Sequence, residues 1–229
     1  MGVPFAVRPT FSLLSLAVLA VTTPLVAALP AQAFNYPSLQ LPKASTRDYT
    51  AALTGGTGTT AVFQWREGWS AKRHLQLDVG LSDRKGNQSL LMFAGGYFGS
   101  ELVTATAEQP LDLLLTGGAG ASFGDGFTLF RVPVGVSLGH TFELDQGMSI
   151  TPYLHPRASL DFCASCSGRG RSRNELSLNF DVGASFQVTR SFALRASGAF
   201  SGSDLVGTDD TFALGFTWTP TPLIRERSR

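Results

Sequence analysis

Residues 175–188 constrain the fold more than any other stretch, reading Glu-Leu-Ser-Leu-Asn-Phe-Asp-Val-Gly-Ala-Ser-Phe-Gln-Val. Leu176, Leu178, Phe180, Val182, Ala184, Phe186 and Val188 are apolar, and every residue between them is polar or glycine. A period of two kept over that length specifies a β-strand whose two faces meet opposite surroundings. The same period returns along most of the chain. Bulky Leu, Phe and Val fill one face; Gly, Ser, Thr and isolated charges fill the other. The expected fold is all-β, a closed barrel with the greasy rows outside against lipid and the polar rows inside.

The first 33 residues stand apart from that pattern. Residues 1–10 carry Arg8 and no acid, residues 11–29 form an apolar run broken by Pro24, and Ala31-Gln32-Ala33 is a small-residue cleavage site. This is the three-part pattern of a secretory signal peptide; the alternative, an uncleaved anchor, is disfavoured by Pro24 and the Ala-x-Ala site. Of the 18 Lys and Arg only Arg8 lies in this leader, which leaves 17 against 17 Asp and Glu. A neutral mature chain argues against nucleic acid as a partner, because phosphate binding needs clustered positive charge. Lys43, Lys72 and Lys85 are the only lysines, whereas soluble β-proteins blunt their edges with lysine. No later apolar run is long enough for a spanning helix, so a membrane would be crossed by strands.

Residues 34–46, with Pro37 and Pro42 and no period, read as an exposed lead-in; residues 47–219 form the barrel and 220–229 a tail. Tyr49, Ala51 and Leu53 share a parity with Ala61, Phe63 and Trp65 across Gly55-Gly56-Thr57-Gly58, so these glycines are either a hairpin turn or a bend within one strand. A barrel with both ends on the periplasmic side needs an even strand number. Ten antiparallel up-and-down strands are therefore expected, with the hairpin, and eight is the alternative. One strand, residues 89–98, defies assignment, since Leu91, Phe93 and Tyr97 oppose Leu90, Met92 and Phe98. Pro133, Pro152 and Pro156 fall inside predicted strands, where each removes a ladder donor; bulges, rim positions or incomplete closure are expected there. Long connections at 163–173 and 201–210 fall outside and short turns at 143–147 and 187–191 inside, but the long stretch 99–110 falls inside against that rule.

The polar rows carry Asp78, Asp112, Arg131, His155, Arg157, Asp161, Glu175, Asp181 and Arg195. Pairing Phe162 with Asn174 sets His155 opposite Asp181, Arg157 opposite Asn179 and Tyr153 opposite Gly183. Pairing Phe186 with Phe192 sets Arg195 opposite Gly183. An unpaired buried charge costs on the order of 3 to 5 kcal/mol, so a network of Asp78, Asp112, Arg131, His155, Arg157, Asp161, Asp181 and Arg195 is expected to pair and to close a lumen this narrow. A water-filled channel with solvated charges is the competing arrangement.

Cys163-Ala164-Ser165-Cys166 is the only cysteine pair. Neither a helix N-terminus for redox chemistry nor further zinc ligands accompany it, so a small disulfide in an outer loop is expected of an exported chain. Arg169, Arg171 and Arg173 form a basic cluster that either grips phosphates of lipopolysaccharide or is simply solvated. His74, His140 and His155 are the only histidines. His155 with Asp181 lacks a serine on its other side, as a triad requires, and His140, on the lipid-facing parity, has no serine and acid beside it. No enzyme, cofactor or metal site is expected, a lipid-modifying barrel enzyme being the residual alternative. Trp65, Trp69, Tyr97, Phe142 and Trp218 lie near strand ends, where interfacial girdles form.

Over residues 47–218 the pattern resembles the small outer-membrane β-barrels of Gram-negative bacteria, the OmpA and OmpX type. Phe212-x-Leu214-x-Phe216-x-Trp218 looks like the terminal signal read by the barrel assembly machinery, although this chain runs on to Arg229. The resemblance implies a monomer in outer-membrane lipid with a structural or surface-interaction role, and it transfers no functional residue. A narrow pore for ions or small solutes is the runner-up. A soluble secreted β-barrel binding an apolar ligand, with its bulky faces inward, is the third reading.

Overall fold

The computed structural model describes residues 38–56, 58–84, 90–124, 127–164, 172–202 and 210–220. The leader and most of the tail lie outside them, as do Cys166, Arg169 and Arg171. Ten long strands form one antiparallel sheet: β1 (Arg47–Gly55), β2 (Gly58–Ser70), β3 (Arg73–Arg84), β4 (Leu91–Val103), β5 (Asp112–Gly124), β6 (Phe127–Gly139), β7 (Ser149–Ala164), β8 (Arg173–Thr189), β9 (Phe192–Ser201) and β10 (Thr211–Trp218). Each pairs with its neighbour in sequence, and β1 closes on β10 with Tyr49 opposite Trp218 and Leu53 opposite Leu214. A two-residue extension, Phe142–Glu143, pairs only with the start of β7. Gly55–Gly58 is thus a hairpin turn, because Ala61 returns opposite Leu53.

The faces are sorted as the alternation requires. Phe180 and Leu154 are 38% and 44% exposed on the outer surface, while Asp181 between their rows is fully buried. In water such a belt of outward Leu, Phe and Val would be unstable, whereas in hydrocarbon it costs nothing and the closed ladder satisfies the backbone. The strand at β4 has the opposite parity to β3: Leu91, Phe93 and Tyr97 point inward, and Met92 and Phe98 outward. Tyr97 belongs to the lumen and not to a girdle. Its ring lies across Gly118, where any Cβ would collide with it.

The three prolines fall where the ladder is already interrupted. Between β5 and β6 the pairing skips from Gly117 with Val134 to Gly120 with Arg131, around Pro133. Between β6 and β7 it skips from Gly135 with Arg157 to Leu138 with Leu154, around Pro156. Pro152 lies beyond Gly139, where the β6 side of the ladder has ended. Missing N–H donors thus cause local gaps, and the sheet still closes without an edge.

Residues 104–111 join β4 to β5 at the rim where Arg47 and Trp218 lie, called here the terminal rim. β4 absorbs the first part of the long stretch 99–110, and the remainder is tied by bonds from Thr106 N–H to its own turn and from Ala105 N–H to Asp112 Oδ1 (2.7 Å). Aromatic side chains gather at this rim: Tyr49 stacks on Trp218 at 5.5 Å, Phe192 on Phe216 at 5.3 Å, and His140 meets Phe142 edge-on at 4.7 Å. Trp65, Trp69, Phe142 and Trp218 all face outward.

Candidate functional site in the barrel lumen

The lumen is lined by the polar rows and organised around a segment that carries no period. Residues 38–46 do not form an exposed lead-in. They run from the terminal rim into the barrel, where Leu39 is 1% exposed and Gln40 and Pro42 are buried. Leu39 fits an apolar niche made by inward-facing Ala52, Val62, Phe93 and Ala213. It does so with φ at +50°, a left-handed conformation that costs an L-residue on the order of 1–2 kcal/mol.

The charges of the lumen are arranged about this strap. Ser38 donates its N–H (3.0 Å) and its hydroxyl (2.7 Å) to Asp181 Oδ2, and its oxygen lies 2.7 Å from His155 Nδ1. His155 Nε2 lies 2.8 Å from Thr116 Oγ1, and Arg157 donates to Asp181 Oδ1 at 2.9 Å. A neutral imidazole satisfies the chain, with Thr116 O–H donating to Nε2 and Nδ1–H to Ser38. Arg66 donates to the carbonyls of Ser38 (3.3 Å) and Leu39 (2.9 Å), Gln64 to that of Ser38 (3.0 Å), and Ser137 to that of Gln40 (2.7 Å). Nearer the rim, Lys43 Nζ pairs with Asp112 at 3.2 Å, and Ser45 N–H donates to His74 Nδ1 at 3.3 Å.

Two further clusters complete the lining. Arg131 holds Asp161 through two bonds of 2.7 and 2.8 Å, and Ser177 donates to the same carboxylate at 3.0 Å. Asp48 sits between Arg66 and Arg195, each at 3.4 Å, while Gln76 and Gln64 both donate to Asp78.

All eight residues of the expected network face the lumen, and His155 opposite Asp181, Arg157 opposite Asn179 and Tyr153 opposite Gly183 stand in the anticipated register. Arg195 does not. It lies opposite Ser185 rather than Gly183, because Thr189 Oγ1 accepts from the N–H groups of Ser191 and Phe192, which tightens the turn and shifts the pairing. Gly215 on its other side has no side chain, and Arg195 reaches across it to Thr50 and Asp48.

Sequence reasoning passed over Ser38, Asp48, Gln64 and Arg66. The last three share the inward parity of β1 and β2 and could have been found from it; nothing marked Ser38. Cys163 is disulfide-bonded at the far end of β7, and its sole possible partner in the chain, Cys166, lies outside the described residues. Arg173 begins β8 on the exposed surface, 4.0 Å from Glu175.

No family model and no curated protein sequence matches this chain. Solved structures do. The β domain of the Bordetella autotransporter BrkA superposes with a TM-score of 0.50 at 10% identity, over 76% of this chain and 98% of that one. Ail, the attachment invasion locus protein of Yersinia pestis, covers 75% of this chain and 93% of its own at 16% identity and a TM-score of 0.30. Neisserial surface protein A gives the same coverages at 18% identity and 0.27. The fold is that of an outer-membrane β-barrel, as in the BrkA β domain, here with ten strands, and the outward belt of Leu, Phe and Val on a closed sheet makes the chain a membrane barrel.

Proposed function

We propose that this protein resides in the outer membrane of a Gram-negative bacterium after signal-peptide export, and that it serves as a monomeric structural or surface-interaction barrel with a closed lumen. The observation that carries this reading is the strap. Barrel side chains bond its main chain at mid-height, and beside it Arg131 pairs with Asp161 and Asp48 with Arg66 and Arg195, an arrangement that supports a lumen closed to solute. Both ring nitrogens of His155 are engaged, Nδ1 by Ser38 of the strap and Nε2 by Thr116 of the wall, which supports a non-enzymatic role. Outer-membrane lipid surrounds the apolar belt. Biogenesis uses the barrel assembly machinery, with the Phe212-to-Trp218 strand as its signal, and Arg173, exposed at the start of β8, meets the phosphates of lipopolysaccharide.

Two measurements test this. Detergent-extracted protein is expected to migrate faster on gels before boiling than after, because a closed membrane barrel resists unfolding by detergent. In planar bilayers the full chain is expected to give no stable conductance steps. Stable steps would favour the narrow pore, and recovery in the aqueous fraction without detergent would favour a soluble barrel.

A further inference from the structure

The strap is held as a ligand and not as a strand. Among the described residues its one backbone–backbone hydrogen bond is from Gly68 N–H to the Thr46 carbonyl at its exit (2.7 Å). Further in, six main-chain groups are bonded by side chains of the barrel. Asp181 takes Ser38 N–H, Gln64 and Arg66 the Ser38 carbonyl, Arg66 the Leu39 carbonyl, Ser137 the Gln40 carbonyl, Glu101 the Ala44 N–H and His74 the Ser45 N–H.

The wall is also shaped to the segment. A Cβ on Gly68 would stand 2.7 Å from the Ser45 carbonyl oxygen and 3.0 Å from that of Thr46. The left-handed backbone of Leu39 has the same origin, since such a conformation persists in a non-glycine residue only where its surroundings over-determine it.

We propose that the lumen is a peptide-binding site, filled in the intact protein by residues 38–45 of its own chain, and that it accepts the same segment added in trans. The ligand class is a bent, extended peptide. It carries a hydroxyl for Asp181 and His155, an aliphatic side chain in the next position for the Ala52–Val62–Phe93–Ala213 niche, and a cation four residues later for Asp112. Tethering keeps the strap at an effective concentration in the millimolar range, so a competing peptide is excluded until the tether is cut. The proposal builds on the closed-lumen reading only in taking the strap as the resident occupant.

The test folds the full chain first, with a site-specific protease sequence inserted between Thr46 and Arg47, both exposed at the terminal rim. After cutting, the strap should co-elute with the barrel or exchange for a fluorescent synthetic peptide of residues 38–46. Peptides carrying Leu39→Asp or Lys43→Glu should bind at least about tenfold more weakly, equivalent to ~1.4 kcal/mol. Loss of the cut strap with no saturable peptide binding would overturn the proposal, and so would equal binding by the two altered peptides.

If the insertion prevents folding, the uncut chain with Leu39→Asp replaces it: the labelled peptide should bind this barrel and not the unaltered one, and the absence of that difference counts against the site. Conductance of the uncut, unaltered chain tests the closed lumen separately, whatever the peptide does.

Discussion

Asp181 is fully buried yet accepts from Ser38 twice and from Arg157, and lies within 3.4 Å of His155. Removing its carboxylate takes from Arg157 the charge it pairs with inside the barrel, and it frees one end of the strap. Asp181→Ala is expected to cost on the order of 3 to 5 kcal/mol, read as a lower temperature for the gel-mobility shift. Asp181→Asn keeps an acceptor and should recover part of the loss; equal stability of the Ala variant would show that this cluster is not what orders the lumen. The pairing of Asp181 with His155 could be read from parity and one assumed hairpin. Ser38 could not, because a segment held by other residues' side chains needs no period of its own.

At the level of the strand, alternation decides facing only where one row is bulky and the other small. β8 meets that condition and β4 does not, since Leu91, Phe93 and Tyr97 are as large as their outward neighbours. Its inward aromatics are accommodated by glycines on adjacent strands, a match that exists only once the strands are paired. Two predictions belong here. Phe180→Arg places a charge on the lipid face at mid-strand and should cost about 2–4 kcal/mol, seen as loss of the fast-migrating form. Phe180→Leu, which keeps the lipid face apolar at the same position, should be far milder. Pro156→Ala restores a ladder donor opposite the gap at Val136 and Ser137, so amide exchange there should slow; unchanged exchange would mean that the gap has another cause.

For the whole molecule, closure of the sheet, which rests on ten ladders, is separable from the proposed closure of the lumen by residues 38–46, which belong to none of them. Leu39→Asp puts a carboxylate into the apolar niche and should expel the strap without opening the sheet. The expected result is a retained mobility shift together with conductance steps absent from the parent protein. If the shift is retained and no conductance appears, the paired charges Arg131–Asp161 and Asp48–Arg66–Arg195 suffice to block the path alone.

What the sequence determined by itself was the sorting of faces outside β4 and the membership of the charged rows, because period two is a local property that each strand carries independently of its partners; ten strands needed the added requirement of an even number, and the pairing of Ala61 with Leu53 decided between ten and eight. What only the tertiary structure decided was the occupant of the lumen, the shift that places Arg195 beside Asp48, and the inward turn of β4. Each of these depends on volumes and hydrogen bonds supplied by residues distant in sequence, and no local pattern encodes them.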